Sequence, residues 1–446
     1  MPAPRYKTLV DEFAKNIRQG TWPSGMRLPT HRVLAQDYGI ALATATKVYA
    51  ELENMGLVIG ETGRGTYVRD LHVPPGYWQT HDHARSGVLD LAFTYPQLPA
   101  QADALRHALR ELATGGDMHS LIAPQPAQGR QAERRLLAQY LKQRGLNAHA
   151  ADVVIVNGAQ QGLALTVMAL LRPGDVVAVD ALTYPGFIGL AQTHRLDLVA
   201  IPMTPQGPNL SALERLLRER PVKAIFTMPT LHNPMGWVMG LAARTRLVAL
   251  ARKHKLLIIE DGSYAFLVED APTPLRELAP ERTVYVSGLS KPMGGGIRFG
   301  YVVTPPQHLA ALDQTLRALA ISNSTLITAL CGRWLEDGTV LRFEAEKRAH
   351  AAELQALAHT MLEGLHVIGN PNSYFAWIML PTNVRADQLA GRLSQRNILV
   401  ATSEAFATSS AVPHAIRLSM GLADMASLRV GLKTIQQTIA DMVNEA

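Results

Sequence analysis

Hydrophobic positions in the first part of the chain recur at helical spacing and then change rhythm. In YKTLVDEFAKNIRQG the residues Tyr6, Leu9, Val10, Phe13 and Ile17 fall on one side of a helix, and Gly20 offers a stop. After the loop TWPSGMRLP, Thr30 is placed to cap a short helix that buries Val33 and Leu34 and ends at Gly39. A third helix starts near Ala43 and Thr44, with Ala45, Val48, Tyr49, Leu52 and Met55 on one face before Gly56. LVIGETGRGTYV then reads as two short strands around a glycine-rich turn. From residue 71 to 87 the text LHVPPGYWQTHDHARSG has no period and reads as a linker. Beyond it, apolar runs alternate with helical patterns: VVIV (153–156), VVAVD (176–180), KAIFTMP (223–229), LLIIED (256–261) and TVYVSG (283–288).

Two units follow from this. Helix, helix, turn, helix and hairpin within residues 1–70 is the plan of a winged helix-turn-helix module. Residues 88–446 carry buried strands at crossover spacing, which predicts an α/β parallel or mixed sheet, with ligands at the carboxyl ends of its strands.

Composition narrows the class. Of 446 residues 47% are hydrophobic and 18% charged, the balance of a globular protein. A single cysteine, Cys331, excludes a disulfide-stapled scaffold. With no apolar run of signal-peptide or membrane-spanning length, the expectation is a soluble, cytoplasmic protein without a membrane partner. The formal charge of +6 permits an anionic partner and fits a mildly basic enzyme equally well. His81 and His83 lack a third ligand at metal spacing, so no metal site is expected.

The candidate chemistry falls just after the apolar runs. In YVSGLSKPMGGGIRFGY, Lys291 follows a strand, with hydroxyls before it and glycines and Arg298 after it. This suits an imine-forming amine beside a phosphate, with Ser290 and Arg298 on the phosphate, or else an exposed lysine in a glycine loop. Asp261 and Tyr264 in LLIIEDGSYAF suit a pyridinium nitrogen and a ring phenolate, although a strand-end Asp is also a common helix cap. Asn233 in MPTLHNPMG is either a donor to the same phenolate or part of a proline turn. Ala159 and Gln160 open a helix after Gly158, where amides bind anions. Tyr184 can stack on a ring or pack in a turn, and Arg417 can grip a carboxylate or make an ion pair.

Taken together in this order, these residues resemble a known architecture. The carboxy-terminal part is similar to a fold-type I, pyridoxal 5'-phosphate (PLP)-dependent aminotransferase domain with a large lobe and a small lobe, the latter from about residue 321. GMRLPTHRVLAQDYG and the wing GRGTYV resemble a GntR-type winged helix-turn-helix, and the fusion resembles the MocR subfamily of transcription regulators. The resemblance implies Lys291 as the lysine that forms a Schiff base with PLP, Asp261 as the pyridinium partner, and Asn233 and Tyr264 as phenolate partners. It places Ala159, Gln160, Ser290 and Arg298 at the phosphate, Tyr184 on the ring, and Arg417 on an effector carboxylate. It also implies a homodimer joined through the aminotransferase-like domain.

The chain departs from that pattern in three places. Gly288 stands where a hydroxyl is usual, which leaves Ser287, one place earlier, as the candidate for the phosphate. Tyr95 in FTYPQLP replaces a glycine beside the substrate, implying a smaller or reshaped pocket. Ala41 and Leu42 replace Ser-Arg before the third helix. The remaining DNA candidates are Arg27 and Arg64 for phosphates, Arg32, and Thr44, Thr46 and Lys47 for base edges in a double-stranded operator. Residues 1–70 hold nine Lys or Arg against seven Asp or Glu, a net +2, so placement of charge must outweigh its total. Three readings of function fit: a regulator sensing PLP or an amino compound, an active PLP-dependent aminotransferase, and a repressor that uses the domain only to dimerise.

Overall fold

A computed structural model describes residues 5–23, 26–55, 57–61, 65–68, 87–115, 117–409 and 412–445. Arg64 and the linker to residue 86, with His81 and His83, lie outside the described residues.

The amino-terminal unit comprises α1 (Arg5–Arg18), α2 (His31–Asp37), α3 (Leu42–Asn54) and an antiparallel hairpin, β1 (Val58–Glu61) with β2 (Gly65–Val68). Val10, Phe13, Leu34, Val48 and Leu52 meet in one core. The Thr30 hydroxyl accepts the Val33 amide at 3.3 Å, capping α2 as expected. Val33 itself is 44% exposed, whereas Leu34 is fully buried. Only Leu34 of the pair joins the core.

The chain resumes at β3 (Leu89–Leu91) and then builds a seven-stranded sheet from β4 (Val153–Val156), β5 (Val176–Asp180), β6 (Asp197–Ile201), β7 (Val222–Thr227), β8 (Leu257–Asp261), β9 (Thr283–Gly288) and β10 (Gly300–Val303). The order is β4-β10-β9-β8-β7-β5-β6, with β10 antiparallel to both neighbours and the other pairs parallel. Helix α4 (Ala159–Leu170) lies on β9 and β10 through Gly162, where a Cβ would come within 2.8 Å of Val286.

The long helix α5 (Thr339–Met361) leads to a five-stranded sheet of β11 (His366–Gly369), β12 (Phe375–Met379), β13 (Ile398–Thr402) and β14 (Ala415–Ser419), with α6 (Ala386–Gln395) packed on β13. Its order, β11-β12-β14-β13-β3, recruits the strand that opens the carboxy-terminal part, Leu89 pairing with Ile398. The start of α6 also meets the amino-terminal unit. Arg385 pairs with Asp11 at 2.7 Å, Gln388 donates to Glu51 at 2.6 Å, and Lys7 donates to the Asn383 carbonyl at 2.9 Å. No helix among the described residues is long and apolar enough to cross a membrane.

Candidate functional site

The carboxyl ends of β8 and β9 open on a cavity of about 120 Å³ lined by Ala159, Gln160, Tyr184, Asp261, Tyr264, Ser290, Lys291 and Arg298, together with Tyr95 and Gly288. Lys291 lies in the turn after β9, its Nζ donating to the Thr94 carbonyl at 2.5 Å. The rings of Tyr95 and Tyr264 stand 5.1 and 5.5 Å from that nitrogen, giving an ammonium two aromatic faces.

Asp261 ends β8 and is 3% exposed, with its Oδ1 accepting the Ser263 amide at 2.9 Å. Burial pushes this carboxyl above the usual range, and the Ser263 hydrogen bonds and the charge of Lys291 only partly oppose it. A cationic ring nitrogen beside it would turn that cost into a pairing.

The same cavity has the chemistry of an anion cup. Gly158, at φ +86°, turns the chain so that α4 starts with its free amides at Ala159 and Gln160 facing the site. The Arg298 guanidinium lies against Gly158 and donates to the Asn157 carbonyl at 3.3 Å. The buried Ser290 hydroxyl has no hydrogen-bond partner among the described residues. Such an orphan is costly unless a ligand completes it.

The structure gives a reason for Gly288. A Cβ there would stand 2.7 Å from the Phe299 carbonyl oxygen and 3.0 Å from Gly300 Cα, and a Cβ on Gly300 would stand 2.4 Å from the Gly158 carbonyl carbon. Three backbones meet with no room for a side chain, so a hydroxyl at 288 is excluded by space. Ser287 does not replace it. Its Oγ donates to the Gly262 carbonyl at 3.1 Å and, with Tyr285 and Tyr301, faces a separate cavity of about 410 Å³ on the other side of the sheet. Strand alternation sends Val286 toward α4 and Ser287 away from it.

Asn233 and Arg417, both about 2% exposed, bond to each other at 3.2 Å and do not line the 120 Å³ cavity. Arg417, on β14, also donates to the Ala92 carbonyl, two residues before Thr94. The Tyr184 ring lies over Gly186, where a Cβ would be 2.4 Å from its Cζ. Thr94 and Ser263 were not expected at the site. Thr94 contributes a main-chain carbonyl, which leaves no mark on residue type.

In the amino-terminal unit Arg27, Arg32, Thr46 and Lys47 are exposed and Thr44 is half-buried. Thr46 donates to the Leu42 carbonyl at 3.0 Å, and the Lys47 ammonium lies 4.2 Å over the Tyr6 ring. Leu42, at the start of α3, is 49% exposed.

The family described as aminotransferase class I and II matches residues 87–435. The chain belongs to that family. Residues 5–68 match the gntR family of bacterial regulatory proteins, and the two domains in this order form a MocR-like architecture. The chain is 24% identical over 444 residues to the uncharacterised HTH-type transcriptional regulator YdeF of Bacillus subtilis (strain 168), covering 98% of this chain and 95% of that one. Similarity to the regulator YjiR of Escherichia coli (strain K12) is 25% over 466 residues, covering 98% of each. The crystal structure of LysN, an alpha-aminoadipate aminotransferase from Thermus thermophilus complexed with N-(5'-phosphopyridoxyl)-L-leucine, superposes with a TM-score of 0.74 at 23% identity, over 81% of this chain and 94% of that one.

Proposed function

We propose that the chain is a DNA-binding transcription regulator whose aminotransferase-class domain holds PLP at Lys291 and senses that cofactor, or a small carboxylated amine that reaches it. One observation carries the reading: a lysine, a buried carboxylate with no ion pair among the described residues and an anion cup converge on one cavity, in a chain that opens with a gntR-family domain.

The residues fit the group. Arg298, the Ser290 hydroxyl and the first amides of α4 would take its phosphate, and Asp261 its ring nitrogen. Tyr264 and Asn233 would donate to the ring oxygen, with Tyr184 against the ring face. Bound there, PLP supplies an aldehyde that condenses reversibly with primary amines and a ring that withdraws electrons. Lys291 must leave the Thr94 carbonyl to serve it, so that carbonyl is the resting place of the amine. Arg417 would hold an incoming carboxylate, exchanging its contact with Asn233 for a bidentate pair. An effector acts on DNA binding only by its difference in affinity for two arrangements of the chain.

Arg27 and Arg32 would meet phosphates, and Thr44, Thr46 and Lys47 would meet base edges of double-stranded DNA. A homodimer through the aminotransferase-class domain would double contacts that a net +2 leaves weak. Lys291, Asp261 and Arg417 are also what a catalytically active aminotransferase needs, and one experiment separates the readings. The PLP-supplemented chain is titrated with amino acids while its visible absorption and keto-acid release are followed together. A spectral shift that holds without keto acid supports the sensor, whereas sustained release over many turnovers makes it an enzyme. Absence of any cofactor band refutes both.

A further inference from the structure

One buried amine has no part in the cofactor site. Lys347, in the middle of α5, is 0% exposed, and no carboxylate pairs with it among the described residues. Its Nζ donates to two main-chain carbonyls, that of Lys291 at 2.7 Å and that of Pro96 at 2.8 Å. These belong to the two segments that wall the site. One bears the reactive amine, and the other carries the Thr94 carbonyl that receives it and the Tyr95 ring beside it. On the far side of the helix turn, the Tyr374 hydroxyl, next to β12, donates to the Lys347 carbonyl at 3.0 Å.

We propose that Lys347 is a positioning residue for Lys291, the joint through which a change at the reactive amine is passed to the helix that enters the small lobe. The inference rests on reading Lys291 as the cofactor lysine. Two acceptors match the two N–H bonds of a neutral amine, whereas an ammonium in this place would keep one donor unmet and no counter-charge. Burial first, and repulsion from Lys291 second, bring the group from its ordinary 10.5 down to about 7. The other titratable groups around it are Tyr95 on the segment of Thr94 and Pro96, His350 on its own helix, Glu344 one turn earlier and bonded to Tyr140 and Arg144, and Tyr374 from the small lobe. A loss of charge at Lys291 relieves the repulsion, lets Lys347 take up a proton, and changes the donors that hold both walls.

The first test uses the full chain without cofactor. Between about pH 7 and 10 the unfolded chain binds the Lys347 proton and the folded chain does not, so this group makes stability rise with pH across that window. The slope should be smaller in Lys347→Met and in Lys347→Gln, and in Lys291→Ala its inflection should move to higher pH. An unchanged slope in both Lys347 variants, or an unmoved inflection in Lys291→Ala, overturns the joint. The second test adds PLP. Lys347→Gln, which keeps an NH₂ donor, should retain tighter cofactor binding than Lys347→Met, and equal affinities in the two variants and wild type overturn the positioning role. A wild-type chain with no visible band would overturn the cofactor reading instead, and the pH slope would still decide the joint.

Discussion

Replacing Gly288 by serine restores the hydroxyl that aminotransferase-like sequences usually carry three residues before the lysine, and on composition alone it should improve a phosphate site. The geometry reverses that expectation. The new Cβ would stand 2.7 Å from the Phe299 carbonyl oxygen, a main-chain atom that cannot swing aside, and 3.0 Å from Gly300 Cα. Relief requires β9 and β10 to part at their Gly288 and Gly300 pair, where α4 presents its first amides. Overpacking of this kind costs about 1–3 kcal/mol. If it falls on the ligand-bound arrangement, PLP affinity drops about 5- to 150-fold. Thermal unfolding of the apo chain and an absorbance titration with PLP measure the two parts, with Gly288→Ala as the control that has the Cβ but no hydroxyl. Both variants should melt lower and bind more weakly than wild type. Tighter binding by Gly288→Ser than by wild type would refute the steric argument.

Three further outcomes are expected. Lys291→Ala should lose the cofactor-dependent visible band and any effector response while unfolding within a few degrees of wild type, because among the described residues the side chain's hydrogen bond is to a main-chain carbonyl, that of Thr94; a retained band would move the cofactor to another amine. Arg385→Ala should destabilise the chain by about 3–5 kcal/mol in denaturant unfolding, since it removes a buried guanidinium and leaves the mostly covered carboxylate of Asp387 without its ion-pair partner, and should speed amide exchange in α1, which contributes Asp11. Lys47→Ala should weaken DNA binding by about 1–3 kcal/mol with the cofactor spectrum unchanged; a shifted spectrum would mean that the two units are wrongly assigned.

Much of this was legible in the residues because it depends on neighbours in the chain. The period of Leu9, Val10, Phe13 and Ile17 places them on one face wherever α1 docks, and Thr30 caps α2 through an amide three residues away. The runs ending at Asp261 and Gly288 are strands because they are apolar, β-branched and short. The polar residues after them share a cavity because parallel strands bring their carboxyl ends to one edge.

What the residues could not disclose depends on partners far along the chain. Ser287 and Ser290 look alike in sequence, and only pairing of Ser287 with Tyr301 turns one hydroxyl from the site while the other stays. The strand at Leu89 joins the small sheet through Ile398, more than 300 residues later, and no local period records such a pairing. Gly288 reads as a lost ligand until Phe299 and Gly158 close around it. Lys347 reads as one more charge on a long helix, and becomes a buried amine only when the carbonyls of Pro96 and Lys291 arrive from two other segments. Local propensity and periodicity act within a turn or two of chain, so they set the elements. Close approach and burial arise when distant elements pack, so the tertiary structure alone decides which polar groups face the site and which charges it must neutralise.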